Sequence, residues 1–247
     1  MGTIKTKGII LVERNMGDFD KMLTMLTPGL GKISCAARGA KRFRSSLLVG
    51  SQFLCFGDYI LYKTNSTYYI NSCEPIEILI DIIFYNIRKD LKKLEYASFI
   101  SKIIIDVTNE NENSYRILQL YLNTLYMISE TDKDLEFILA IFKMKLVSIL
   151  GFAPNIRMCG NCNKTEDLEF FSLKQNGFKC NICGKQDTSC IYMSKSTMQA
   201  IKYIVMSPPK KVFSFNVGED AAKELELIAK LYLNDKLEKD YKMENIF

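Results

Sequence analysis

The sequence predicts an α+β multidomain protein: a small N-terminal β-barrel, an α-helical domain and a compact four-cysteine metal module. Three observations predict it. Apolar residues follow a strand-like pattern up to Pro75 and a helical period after it. Two Cys-x2-Cys pairs, Cys159/Cys162 and Cys180/Cys183, stand 17 residues apart. Charge is uneven: residues 1–80 hold ten Lys/Arg against six Asp/Glu, while 81–158 hold ten of each and 159–247 thirteen against twelve.

Residues 4–14 are β-rich, and Gly17-Asp18 turns the chain. Residues 21–27 form a second apolar run, ended by Pro28-Gly29-Leu30-Gly31, residue types that favour turns. Residues 32–40 form a third, with Gly39 allowing a kink or bulge. Residues 41–50 are basic and read as a loop or short helix. Residues 52–63 alternate in part, with Gly57-Asp58 as a bulge or turn, and Thr64-Asn65-Ser66 closes a hairpin onto residues 67–73. Five short strands with a break after the third fit a closed barrel such as an OB-fold; another small barrel or sandwich shares that count.

Residues 91–107 carry apolar side chains at helical spacing. Ser114 can cap a second helix over 115–128, and Thr131 or Asp132 a third over 135–150, which is apolar nearly all round and so belongs at the centre of a bundle. The three faces are expected to share one core. Gly151 ends the third helix and Pro154 prevents its resumption. Residues 194–206 form a helix stopped by Pro208-Pro209, and 221–233 another, entered through Gly218-Glu219-Asp220; the charged tail 234–247 is expected to fray. The expected domains are 1–76 for the barrel, 77–158 for the helical domain, 159–192 for the metal module and 193–247 for C-terminal helices packing on the helical domain.

A doubled Cys-x2-Cys is the spacing of a four-thiolate zinc site. Cys159, Cys162, Cys180 and Cys183 would hold one Zn²⁺ and leave no position open for water, which makes the ion structural. The linker supports a fold-back, because Gln175-Asn176-Gly177 contains an Asn-Gly hairpin turn. A thiol redox pair is the rival reading, though no βαβ pattern surrounds either pair. Cys190 could replace Cys183, or stand as a spare thiol. Cys35, Cys55 and Cys73 sit at apolar positions and read as buried thiols, which together with a thiolate site indicates a reducing, cytoplasmic setting.

There is no histidine in the 247 residues, which removes the commonest general base and any Ser-His or Cys-His nucleophile. Neither a P-loop nor a dinucleotide-binding glycine motif is found. These absences point away from an enzyme. No apolar run is long enough to span a membrane, and none at the N-terminus reads as a signal sequence.

Between Asp20 and Asp58, 37 positions carry no acid but hold Lys21, Lys32, Arg38, Lys41, Arg42 and Arg44, with Phe43, Phe53 and Phe56 interleaved. Cations without nearby carboxylates suit phosphate binding, and aromatic rings suit stacking on single-strand bases. The candidate nucleic-acid contacts are Lys32, Arg38, Lys41, Arg42 and Arg44, then Lys7 and Arg14 on the first strand, with Phe43 as a stacking ring or a core residue. An RNA-binding or ribosome-associated barrel with a zinc module is the alternative to a DNA-binding one.

Several stretches resemble the RecO family of bacterial recombination mediators in DNA repair. Lys7-Gly8-Ile9-Ile10-Leu11, followed by Arg14-Asn15-Met16-Gly17-Asp18-Phe19-Asp20-Lys21, resembles its first strand and turn. Leu23-Thr24-Met25-Leu26-Thr27-Pro28 with Gly31-Lys32-Ile33-Ser34 is similar to its second and third strands, and Ala37-Arg38-Gly39-Ala40-Lys41-Arg42 to the basic segment that follows. Tyr96-Ala97-Ser98 resembles the start of its helical segment, and Leu150-Gly151-Phe152-Ala153-Pro154 its entry to the zinc module. The resemblance implies an OB-fold, a helical domain and an inserted zinc module. It implies binding of single- and double-stranded DNA, annealing of complementary strands, and assistance in loading RecA onto strands coated by single-strand-binding protein. The implied partners are RecR, the C-terminal tail of that coating protein and, indirectly, RecA. The implied location is the bacterial nucleoid. No catalytic residue carries over.

Overall fold

The structure, a computed structural model, describes residues 2–65, 67–76 and 85–243. It divides into two compact units: one runs to Leu118 and takes in Ile128–Thr131, and the other comprises Gln119–Met127 and the chain from Asp132.

In the first unit, strands β1 (Thr3–Met16), β2 (Asp20–Thr27), β3 (Gly31–Ala37), β4 (Phe56–Thr64) and β5 (Thr67–Pro75) close a barrel in the order β1-β2-β3-β5-β4. Only the β3–β5 pairing is parallel, and this order with its break after β3 is the OB-fold. Alternate side chains point inward: Leu23, Met25, Ile33, Cys35, Leu61 and Ile70 are buried. Burial pushes the Cys35 thiol up to about 12, so it is an inert core group.

Some expected local features lie elsewhere. The fourth strand begins at Phe56 rather than at residue 52, because Leu54 takes a positive φ of 67° in a turn. Leu54 and Cys55 instead exchange backbone hydrogen bonds with Ile10 of β1, at 2.8 and 3.0 Å. Gly57 lies in the ladder opposite Gly8 and Pro75; the bulges fall at Ile10/Val12 and Ile60/Leu61. Cys73 is partly exposed rather than buried.

Among the described residues, α1 (Tyr85–Lys89) and α2 (Leu91–Val107) follow the barrel, and α2 packs against β1. Asp90 caps α2 by accepting the Lys92 and Lys93 N–H groups. The turn Pro28–Gly31 is bonded to the segment after α2. Lys32 N–H donates to Asn109, Asn111 N–H to Leu30 and Ser114 N–H to Pro28, each at 2.8–3.0 Å. Gly31 (φ +69°) is required there: a Cβ would stand 2.0 Å from the Asn109 carbonyl oxygen.

Helix α3 (Tyr115–Glu130) begins at Ser114, but the Ser114 side chain makes no capping bond. Asn113 Oδ1 accepts the Tyr115 N–H instead. The cap of α4 (Leu135–Ile149) is Asp134, which accepts the Phe137 N–H, and not Thr131 or Asp132. Buried nearly all round, α4 is the centre of the second unit. Its partners there are α6 (Lys195–Met206) and α7 (Glu219–Lys236). Lys145 of α4 is buried and donates to the Val205 carbonyl at 2.9 Å, capping the last turn of α6 with positive charge. Over its described residues the tail is packed rather than frayed. Asn234 binds the Tyr241 N–H and the Asp240 carboxylate, and the Tyr241 ring is buried. Residues 244–247 lie outside the described residues. No described helix is long and apolar enough to cross a membrane.

Candidate nucleic-acid interface and metal centre

The basic segment after β3 folds as consecutive turns packed on the β1–β2 turn. Asp20 Oδ1 accepts the Gly39 N–H at 2.7 Å, and Lys41 N–H donates to the Phe19 carbonyl at 2.9 Å. Gly39, at φ +68°, makes the reversal. This frame leaves Arg38, Lys41, Arg42, Phe43 and Arg44 exposed. Phe43 is 90% exposed, so the core reading of that ring is excluded. Arg42 lies over the half-exposed Phe19 ring at 5.3 Å, and Arg38 over Tyr69 at 4.6 Å. Such stacking holds planar guanidiniums in place while leaving their edges free to donate.

The other predicted cations are placed differently. Arg14 is exposed near the end of β1. Lys7 is paired with Asp58 across the β1–β4 ladder at 2.9 Å, with both side chains over half exposed. Lys32 directs its ammonium at the Ile105 carbonyl in the last turn of α2. Lys21 is paired with Glu13. The structure therefore places the exposed Arg38, Lys41, Arg42 and Arg44 in consecutive turns beside the β1–β2 turn, with the Lys41 ammonium 3.5 Å from the Gly17 carbonyl, while Lys7 and Lys32 are engaged by Asp58 and Ile105.

Sequence reasoning missed two rings. Tyr62 of β4 and Tyr69 of β5 are stacked, centroids 5.1 Å apart and planes 12° from parallel. They lie symmetrically about the hairpin turn, as do Thr64 and Thr67, so the turn position alone implies that they face each other.

The four paired cysteines converge in a second site. Sheet strands β6 (Leu168–Ser172), β7 (Gly177–Cys180) and β8 (Ile191–Tyr192) run in the order β7-β6-β8, and α5 (Asn181–Lys185) follows β7 directly. The fold-back forms, but as a four-residue turn over 173–176 with Asn176 at φ +54°; Gly177 (φ +156°) already belongs to β7, opposite Ser172, rather than sharing a two-residue Asn-Gly turn. Gly177 is needed for close approach: a Cβ would lie 2.3 Å from the Asn155 carbonyl oxygen.

Cys159 and Cys162 come from the first knuckle, where Cys159 N–H donates to the Lys164 carbonyl and Asn163 N–H to Cys159. Cys180 ends β7 and Cys183 lies in α5. All four sulfurs lie within 4.8 Å of one another, and Cys162 and Cys180 sulfurs are 3.6 Å apart. Burial raises the Cys159 thiol, but backbone N–H groups of Cys180, Cys162 and Asn161 outweigh it and bring it down to about 6. Donors aimed at a sulfur favour the thiolate, which is the metal-binding form. Cys190 is not in the cluster. Nearby, buried Lys179 pairs with Asp187 at 2.7 Å, and each partner favours the other's charged form.

A family model described as Recombination protein O N terminal matches residues 1–79, and one described as Recombination protein O C terminal matches 88–244. The chain is 39% identical to the DNA repair protein RecO of Acetivibrio thermocellus, covering 98% of this chain and 94% of that protein. It is 32% identical to that of Alkaliphilus metalliredigens, covering 93% and 92%, and 29% identical to that of a Thermoanaerobacter species, covering 99% and 97%. A closed barrel followed by helices and a four-cysteine cluster, matched along nearly its whole length, makes this chain a member of the RecO family of DNA repair proteins.

Proposed function

We propose that the protein is a DNA repair and recombination mediator acting by binding rather than by catalysis. It binds single- and double-stranded DNA, anneals complementary strands and assists RecA loading onto DNA coated by single-strand-binding protein. The carrying observation is the exposed Arg38, Lys41, Arg42 and Arg44, held on the OB barrel in a stretch of sequence without acids. Each cation that meets a phosphate releases condensed counterions, so affinity comes from the backbone and is largely independent of sequence. Binding two strands to such a surface screens their mutual repulsion, which is what annealing requires. Arg14 and exposed Phe43 extend this surface, Lys7 contributes with its charge partly met by Asp58, and Lys32 acts by fixing α2 to the barrel.

The proposed domains are 1–76 for the DNA-binding barrel, 77–158 for the helical domain, 159–192 for the metal module and 193–247 for the C-terminal helices. The partners are RecR and the C-terminal tail of single-strand-binding protein, and the setting is the bacterial cytoplasm at the nucleoid. The ion is one structural Zn²⁺. Four thiolates at about 2.3 Å from a tetrahedral zinc stand about 3.8 Å apart, close to the 3.6 Å between Cys162 and Cys180. Zinc would link the first knuckle to the end of β7 and the start of α5.

The deciding experiment is a strand-annealing assay on complementary oligodeoxynucleotides, naked and coated with single-strand-binding protein, with salt titrations of DNA and RNA binding alongside. Faster annealing with the protein, and salt-sensitive DNA affinity, support the reading. Absence of annealing, or binding confined to RNA, overturns it.

A further inference from the structure

We infer that Arg38, Tyr69 and Tyr62 form a base-stacking platform that makes the barrel prefer single-stranded over duplex DNA. The inference rests on the DNA-binding reading above and assigns it a strand preference. Tyr62 and Tyr69 stack at 5.1 Å, and the Arg38 guanidinium lies over the Tyr69 ring at 4.6 Å.

The ladder registers place this stack on the outside of the barrel. Arg14 pairs with Met22, Met22 with Ala36, Ala36 with Tyr69 and Tyr69 with Tyr62. Directly paired residues share a sheet face. The adjacent positions Leu23, Cys35, Tyr68, Ile70 and Leu61 are buried, so alternation turns this row outward, although the small Ala36 at its centre is covered. Both tyrosines are half-buried, and the Tyr69 ring is contacted by both Tyr62 and Arg38. Arg14 stands at one end of the row, and the exposed Arg42 and Arg44 follow Arg38 in the next turn. Of the acids nearest in sequence to this surface, Glu13, beside Arg14, pairs with Lys21, Asp58, four residues before Tyr62, pairs with Lys7, and Asp20 accepts the Gly39 N–H.

A nucleobase extends a π stack whatever its identity, and a planar guanidinium continues the stack while its edge N–H groups reach a phosphate. In a duplex both faces of every internal base are already stacked, so such a platform gains nothing from it. The cations serve both substrates, whereas the rings serve only the single strand.

The test compares Tyr62→Leu/Tyr69→Leu with Tyr62→Phe/Tyr69→Phe, using a labelled oligothymidine and a blunt duplex of equal length at one salt concentration. The Leu variant is expected to bind the single strand roughly 5- to 100-fold more weakly, the range for losing base–aromatic stacking. Its duplex affinity should stay within about twofold of the wild type's, and the Phe variant should retain both, because it keeps the rings. Unchanged single-strand binding by a folded Leu variant overturns the inference, and so does an equal loss on both substrates. If wild type binds neither DNA, the DNA-binding reading itself falls first. Should the Leu variant fail to fold, Arg38→Lys keeps the charge but not the planar stack. Weaker single-strand binding at an unchanged salt slope then supports the platform, and unchanged binding overturns it.

Discussion

In the barrel, Arg38, Lys41, Arg42 and Arg44 stand exposed around a core closed by five strands; in the cysteine module, Cys159 and Cys180 are sealed beneath three short strands and a five-residue helix. Both regions concentrate charge of one sign, and they differ in what balances it. A closed ladder leaves few unpaired backbone groups, so the barrel holds its shape without a counter-charge. The module buries too little apolar surface for that, and four thiolates brought together repel one another until a cation joins them. On the proposed function, one region folds first and then attracts a polyanion, while the other folds around its ion.

The largest effect should follow from breaking the second kind of balance. Cys180→Ser is expected to lose the bound metal and unfold the module, since metal binding at structural sites is worth about 10–16 kcal/mol. Metal analysis should fall from one equivalent to near zero while single-strand DNA affinity holds. Retention of full metal would show that the thiolate set is wrong.

Next comes the barrel's own core. Leu61 is fully buried, and Leu61→Ala should cost about 2–5 kcal/mol in chemical denaturation while leaving the metal content unchanged. A cost below about 0.5 kcal/mol would place Leu61 among surface residues and undo the contrast.

Removing exposed charge should hardly touch stability. Arg38→Ala/Arg42→Ala should lower the slope of log affinity against log salt by about 0.7 per lost contact on single strands and about 0.9 on duplex. An unchanged slope with an intact fold would move the DNA site away from this turn. The smallest effect is expected at Lys7, whose ion pair with Asp58 is over half exposed. Lys7→Ala should change stability by under about 1 kcal/mol, and the salt slope by less than the loss of Arg38 does.

Legibility followed the range of the interaction that decides each feature. The bounds of α2 were readable because Asp90 and the apolar spacing act within one helix. The cysteine quartet was readable because each knuckle is a local turn. The start of β4 was not, since Leu54 at φ +67° is a non-glycine residue held by hydrogen bonding to distant Ile10. The fate of Lys32 depends on α2, whose Ile105 accepts its ammonium from 73 residues away. The exposure of Phe43 depends on how the basic turn seats on residues 17–20, which spacing alone cannot express. The neighbours of α4 lie more than 45 residues along the chain, and its uniform apolarity carries no hint of which helices cover it.

The bonds around Gly31 bear on where this protein can be cut. Three backbone donors and acceptors of the Pro28–Gly31 turn and Lys32 are met by Asn109, Asn111 and Ser114. A fragment ended after residue 76 would carry every strand of the barrel, yet would leave those groups to water and the ammonium of Lys32 without the Ile105 carbonyl. The segment proposed to meet DNA and the segment that satisfies the barrel's own backbone groups therefore end at different residues. A transplantable version of this barrel has to extend past Ser114, and a fusion joined at Pro75 would inherit a loosened β2–β3 turn.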